Sequence, residues 1–173
     1  MVQLICTQVV TCLIQYYIAT TEKIKNIFWV TFLFNVANML CYALNSDMMT
    51  VAMYIIICVR SFIYVYRDEI KKHRWHSLVP IICVLLQGGV GFAMIENPWQ
   101  LIPTIIPCYV CIYMWFYDTT QKLRIGNIIG NGAWGIYNTV TGLYIVAVGR
   151  LITVIMNIVA YIRNRKKVDI TQG

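Results

Sequence analysis

Seven apolar stretches, each closed off by a short polar or basic segment, constrain this chain more than any other feature. They cover approximately residues 2–20, 27–45, 48–66, 77–95, 98–117, 125–141 and 142–162. Most are 17 to 21 residues long, enough for a helix to cross about 30 Å of hydrocarbon. Backbone groups in lipid must pair within their own segment, so helices are the reading. Of the 173 residues, seven spans leave about thirty for connections, too few for a soluble catalytic domain. Hydrophobic residues make up 60% and charged residues 12%, against about 25% charged in a soluble domain. Mean hydropathy is +0.67, which excludes a disordered coil. The expectation is an all-α membrane protein, a single integral membrane domain over 1–173.

The net charge of +7 could suggest nucleic acid, but the placement of the charges argues otherwise. The basic residues fall in four groups: Lys23 and Lys25; Arg67, Lys71, Lys72 and Arg74; Lys122 and Arg124; Arg163, Arg165, Lys166 and Lys167. Threading the chain alternately across a bilayer puts all four groups on one side. The other side receives Asp47 and Glu96 and no Lys or Arg. The positive-inside rule then places the N-terminus outside and the C-terminus in the cytoplasm. Met1-Val2-Gln3 carries no positive segment, so the first span is expected to be a retained anchor. Trp29, Trp75, Trp99 and Trp115 fall near the expected interfaces, as an aromatic belt would; Trp134 does not.

An odd number of spans around a fourth invites a search for duplication. Thr20-Thr21-Glu22-Lys23-Ile24-Lys25 after span 1 is a near copy of Thr119-Thr120-Gln121-Lys122-Leu123-Arg124 after span 5, at a spacing of 99. At a spacing of 96, Arg67 matches Arg163. Two parallel three-helix repeats, 2–67 and 98–163, joined by a linker helix at 77–95 and followed by a basic cytoplasmic tail at 164–173, account for this. Span 2 carries Thr31, Asn35, Asn38, Tyr42 and Asn45 in a stripe about 80° wide on a helix. The matching positions of span 6 are Asn127, Asn131, Trp134, Asn138 and Thr141. Two polar stripes facing each other near the midplane are where a repeat-built transporter holds its solute. Interhelical glue is the alternative use of such asparagines.

Arg60 and Arg150 interrupt spans 3 and 7, and no Asp or Glu lies in any span to pair with them. Snorkelling or bonding to carbonyls and Asn is the plain reading; contact with an anionic group of a solute or lipid is the sharper one. Pro103 and Pro107 in span 5 and Pro80 in span 4 can bend their helices. Gln87-Gly88-Gly89-Val90-Gly91 suggests close helix approach. The seven cysteines all fall within spans and read as small buried thiols, Cys108-x-x-Cys111 included. His73 and His76 read as a solvated pair in a loop. No phosphate loop, carboxylate pair or Ser/His/Asp set is visible, so no enzyme, cofactor or metal is expected.

The segments "ENPWQLIPTI", "WGIYNTVTG" and "NIVAYIRNRK", with "VRSFIYVYR" and "QGGVGFA", resemble the YgjV family of bacterial inner-membrane proteins over most of the chain beyond span 1. That resemblance implies the inner membrane and little chemistry. At Arg150 the chain departs from the carboxylate the resemblance implies. The three-one-three plan is also similar, at the level of fold, to SWEET-type sugar transporters, although a Pro-Gln dipeptide is absent and span 1 has no proline. The expected function is binding or transport of a small polar solute between the two triple-helix bundles. Asn35, Asn38, Tyr42, Asn131, Trp134, Asn138 and Arg60 are the candidate binding residues. A non-transporting structural protein that contacts lipid or a partner is the alternative. The expected partners are the bilayer and a small polar or anionic solute, not nucleic acid; a homo-oligomer stays open.

Overall fold

A computed structural model describes the backbone of residues 2–21, 23–117 and 119–172, and the side chains of these except 2–4, 19 and 164–172. The described residues form helices and connections, with no strand among them. In chain order the helices are α1 (Val2–Thr20), α2 (Ile24–Leu44), α3 (Met48–Val65), α4 (Arg67–Ile70), α5 (Leu78–Ala93), α6 (Leu101–Phe116, entered through a 3-10 turn at Pro98–Gln100), α7 (Thr120–Val140) and α8 (Tyr144–Gln172). The side chains of the expected basic tail, 164–173, lie outside the described residues, but the backbone of α8 continues helical to Gln172. No Pro or Gly interrupts that stretch, and Arg and Lys are good helix formers, so the helix does not stop where the apolar run does.

Four segments are long and apolar enough to cross a membrane: Ile24–Leu44, Met48–Val65, Pro98–Phe116 and Tyr144–Arg163. Ile5–Ile18 and Leu78–Ala93 are shorter apolar helices. Helix α7 is less apolar because its polar residues are turned inward: Asn131, Trp134 and Asn138 are buried, while Ile129, Ile136 and Val140 are exposed. The whole molecule is arranged this way. Leu13, Leu85, Val148 and Leu151 are more than half exposed, whereas Gln8, Gln15, Asn38, Gln87 and Asn157 are buried. An exposed apolar surface around an interior that buries polar side chains among its apolar clusters suits lipid rather than water as the solvent.

Helix ends follow local chemistry. Asp47 caps α3 by accepting from Thr50 N at 3.0 Å, and Thr119 caps α7 by accepting from Lys122 N at 3.3 Å. Buried Arg67 donates to the carbonyls of Met114 and Tyr117 at the end of α6, where a helix presents unpaired oxygens and negative partial charge.

The connections α2–α3 and α7–α8 share one geometry. Ser46 (φ 58°) and Gly142 (φ 78°) are the left-handed residues among those described. Ser46 N donates to Ala43 O and Asp47 N to Tyr42 O; Gly142 N donates to Thr139 O and Leu143 N to Asn138 O. Both follow the pattern that closes a helix with a left-handed residue, which glycine adopts freely and serine at a cost.

Helix α2 packs between α1 and α3, and α7 between α6 and α8. The two triplets meet along α1·α8 and α3·α6, with α5 wedged against α3 and α6. Across the α3·α6 seam, Arg60, Tyr64 and Arg67 donate to the carbonyls of Pro107, Cys111 and Met114, each 47 residues further on. A constant offset of this sign requires the two helices to run parallel. Close approaches use small residues. A Cβ at Gly149 would run into Gln8, and one at Gly91 into Thr104, whereas Gly88 and Gly89 have room. Within the sequence run from Gln87 to Gly91, the close helix contact therefore falls at Gly91.

Two expectations are corrected. Trp115 has the depth of an interface residue but is fully buried, packed 5.0 Å from the ring of Tyr64. Depth along a helix does not fix which way a side chain faces. Trp29, Trp75 and Trp99 are exposed. The helix bounds also differ by several residues: α7 starts at Thr120 rather than near 125, because Thr119 supplies the cap.

Candidate functional site

A cavity of about 60 Å³ lies between the triplets, with walls from α1, α2, α3, α6, α7 and α8. In the measure where one water needs roughly 10–15 Å³, it has room for about four to six waters or a small solute. Of the candidates named from sequence, Asn35, Arg60, Asn131 and Trp134 line it, together with Thr31 and Asn127 of the two stripes. Asn38, Tyr42 and Asn138 do not; they are buried beyond it, toward Asp47.

The lining chemistry is polar and one-signed. Arg60, 4% exposed, donates through Nη1 to Pro107 O at 2.8 Å and Gln87 Oε1 at 3.5 Å. Arg150, 3% exposed, donates from Nη1 to Asn131 Oδ1 at 2.9 Å and from Nη2 to the Tyr54 hydroxyl. Its guanidinium carbon lies 5.2 Å from the ring centre of Phe34 and 5.7 Å from that of Trp134. Asn35 donates to Ser61 Oγ at 2.8 Å, and Ser61 in turn to Ile57 O. Gln15 Oε1, Thr31 Oγ1 and Arg150 Nε are buried without a protein partner. Among the described residues, no Asp or Glu lines the cavity.

Beyond it, toward the Asp47 end, buried aromatic and amide side chains pack against one another. Tyr42 OH donates to Asn138 Oδ1 at 2.9 Å, a pair 96 residues apart. Tyr42 stacks on Tyr54 at 5.3 Å, and Trp134 packs against both. Tyr137 OH donates to Asp47 Oδ2 at 3.1 Å. Asn38 spends its amide on Phe34 O, one turn back in its own helix. The cavity therefore sits in the half of the bundle nearest the basic loops, under an aromatic and amide plug.

Sequence reasoning left Tyr54, Gln15 and Arg150 out of the site. A signal for two of them existed. Tyr54 and Arg150 are also 96 residues apart, the spacing that relates the two stripes, and they bond to each other as Tyr42 and Asn138 do.

Among the described residues, no group of three or more His, Cys, Asp or Glu is placed to hold a metal, and the cysteines are free thiols; Cys41, Cys58, Cys83 and Cys111 are buried, whereas Cys6 is exposed and Cys12 and Cys108 are half-buried, against the expectation that all seven are buried.

An all-helical chain with lipid-suited surfaces and buried amides and guanidiniums defines an integral membrane protein. No curated protein matches the chain, and no solved structure does. A family model of bacterial inner membrane proteins, Imp-YgjV, matches residues 3–168. The chain belongs to that family and is a bacterial inner membrane protein.

Proposed function

We propose that this protein crosses the inner membrane seven times, as two parallel triple-helix units joined by α5, and carries a small polar solute through the central cavity without enzymatic chemistry. The observation that carries the reading is the cavity itself: both units contribute buried polar side chains to it, and three of its lining residues, Gln15, Thr31 and Arg150, carry a buried polar atom with no protein partner. Such atoms are costly to bury unless something hydrogen-bonds to them.

Duplication is supported by the recurrence of one offset. The left-handed residues Ser46 and Gly142 share it, and so do the bonded pairs Tyr42–Asn138 and Tyr54–Arg150, 96 residues apart. A residue touches its own counterpart only beside a two-fold axis, so these pairs mark a pseudo-axis between α2, α3, α7 and α8. Parallel α3 and α6 agree with alternating spans. On this reading the Tyr42–Asn138 plug is the outer gate, and the cavity belongs to a state closed to the outside. Rocking of the two units about the axis would exchange access.

A thermal-shift screen of the purified protein against sugars, nucleosides, vitamins and organic anions tests this. A ligand whose stabilisation is lost in Asn131→Ala, and which moves across proteoliposome membranes, is the expected result. The alternative, a non-transporting structural membrane protein, is favoured by asparagines such as Asn38 and Asn45 that bond only to their own helix. It gains if no ligand is found and the alanine variants lose stability alone.

A further inference from the structure

We infer that the cavity is an anion site, in which Arg60 and Arg150 together grip a small oxyanion, a short carboxylate or an inorganic oxyanion. This rests on the solute-binding reading above and names the substrate class of the same cavity.

Charge is the first ground. Two guanidiniums, each at least 96% buried, line one small space, and no carboxylate among the described residues lines it with them. Arginine stays protonated under all ordinary conditions, so the cavity holds two positive charges. Their protein partners include no carboxylate: a carbonyl, an amide, the Cys111 thiol and the Tyr64 ring for Arg60, and an amide, the Tyr42 and Tyr54 phenols and two aromatic faces for Arg150. Neutral dipoles and rings reduce the cost of burying a cation but leave its charge uncompensated. A neutral solute such as a sugar leaves that imbalance in place. An anion removes it.

Spare donor capacity is the second ground. A guanidinium offers five N–H groups. Arg150 uses one from each terminal nitrogen, and its Nε has no partner. Both bonds of Arg60 leave from Nη1. Thr31 Oγ1, also without a partner, adds a hydroxyl donor. Planar oxyanions accept in this forked fashion. Size is the third ground, since space for about four to six waters admits acetate, nitrate or phosphate. Ile57, Val110 and Met114 supply an apolar wall against which a short alkyl group could lie.

The test compares isosteres on the purified wild-type protein in a buffer free of small oxyanions. Acetate, nitrate and phosphate are titrated calorimetrically beside acetamide. At least one oxyanion should bind saturably and at least tenfold tighter than acetamide, and the ranking of acetate against nitrate and phosphate separates the carboxylate from the inorganic source. Arg60→Lys and Arg150→Lys should each weaken that oxyanion at least tenfold, because an ammonium lacks the planar fork. A measurement needing no variant accompanies them: the bound oxyanion should slow phenylglyoxal modification of Arg60 and Arg150, read by peptide mass spectrometry, and leave Arg74 unchanged. Acetamide binding as well as acetate, or unchanged affinity in both Lys variants, overturns the anion assignment while solute binding stands. Absence of binding by all four probes, with a larger neutral solute stabilising the protein, does the same. Absence of any ligand sinks both readings.

Discussion

Tyr42→Phe removes a single hydroxyl from the outer plug, and its cost can be worked out from the surroundings. Tyr42 and Asn138 are both fully buried, the bond between them is 2.9 Å, and Asn138 Nδ2 already has no protein partner. Losing the hydroxyl leaves Asn138 without its side-chain bond, at about 1–3 kcal/mol, while the stack on Tyr54 survives. Asn138→Leu strands the Tyr42 hydroxyl at a similar cost. The double variant strands neither, so the two changes should couple by about 1–2 kcal/mol in a double-mutant cycle on unfolding in detergent. The plug also has a functional readout. If it holds the outer side shut, weakening it by about 1.4 kcal/mol raises the outward-open population tenfold. A cysteine at position 131, in an otherwise cysteine-free chain, should then react about tenfold faster with an impermeant maleimide added outside. Additive stability effects would refute the bond as an energetic unit. Coupled energies with unchanged labelling would refute the gate.

Three further outcomes are expected. Single cysteines at positions 47 and 97 should label from outside intact cells and one at 72 should not; the reverse pattern would invert the orientation. Ser46→Gly should stabilise the protein in thermal unfolding by about 0.5–1 kcal/mol, because glycine avoids the left-handed penalty, and Gly142→Ala should cost about 1 kcal/mol; unchanged melting in both would deny that the turns are strained as described. Asn35→Ala should weaken solute binding about fivefold, the equivalent of about 1 kcal/mol, while Leu33→Ala, on the exposed face of α2, should leave affinity alone; equal losses in calorimetry would remove the stripe from the site.

Charge and hydropathy made the helical spans legible, because lipid imposes a length and a terminal chemistry that composition cannot hide. The stripes were legible too, since the buried face of α2 is a matter of helical period. What the period could not give was depth. Asn35 and Asn38 lie on one face, yet Asn35 lines the cavity and Asn38, nearly one turn on toward Asp47, is buried away from it. Nor could the sequence separate an asparagine that reaches across a seam from one that bonds to its own backbone, as Asn45 does to Cys41 O. Arg150 was left out of the site for another reason. As an isolated arginine in an apolar run it reads as snorkelling or as bonding to carbonyls and Asn; the bond to Asn131 is of the second kind, and only the structure places it on the cavity wall.

The proposed two-fold arrangement would account for a repeat that is faint where it matters most. A residue on the axis meets its own counterpart, and identical polar residues make poor partners there. Two arginines repel, two tyrosine hydroxyls can share only one hydrogen bond, and two asparagines must flip against each other. The pairs on the proposed axis are instead complementary: Tyr42 gives a proton to Asn138, and Arg150 gives one to Tyr54. On the proposed duplication, divergence at these positions would convert a like–like contact into a donor–acceptor contact and leave one guanidinium at the axis rather than two. Far from the axis no such pressure acts, and the loops after α1 and α6 keep their likeness. The second guanidinium of the cavity, Arg60, comes from α3 alone; its counterpart on α8 is Met156, outside the lining. Each unit therefore brings one guanidinium to the cavity, from positions that do not correspond, and an anion held between Arg60 and Arg150 would bridge the two units it must see move.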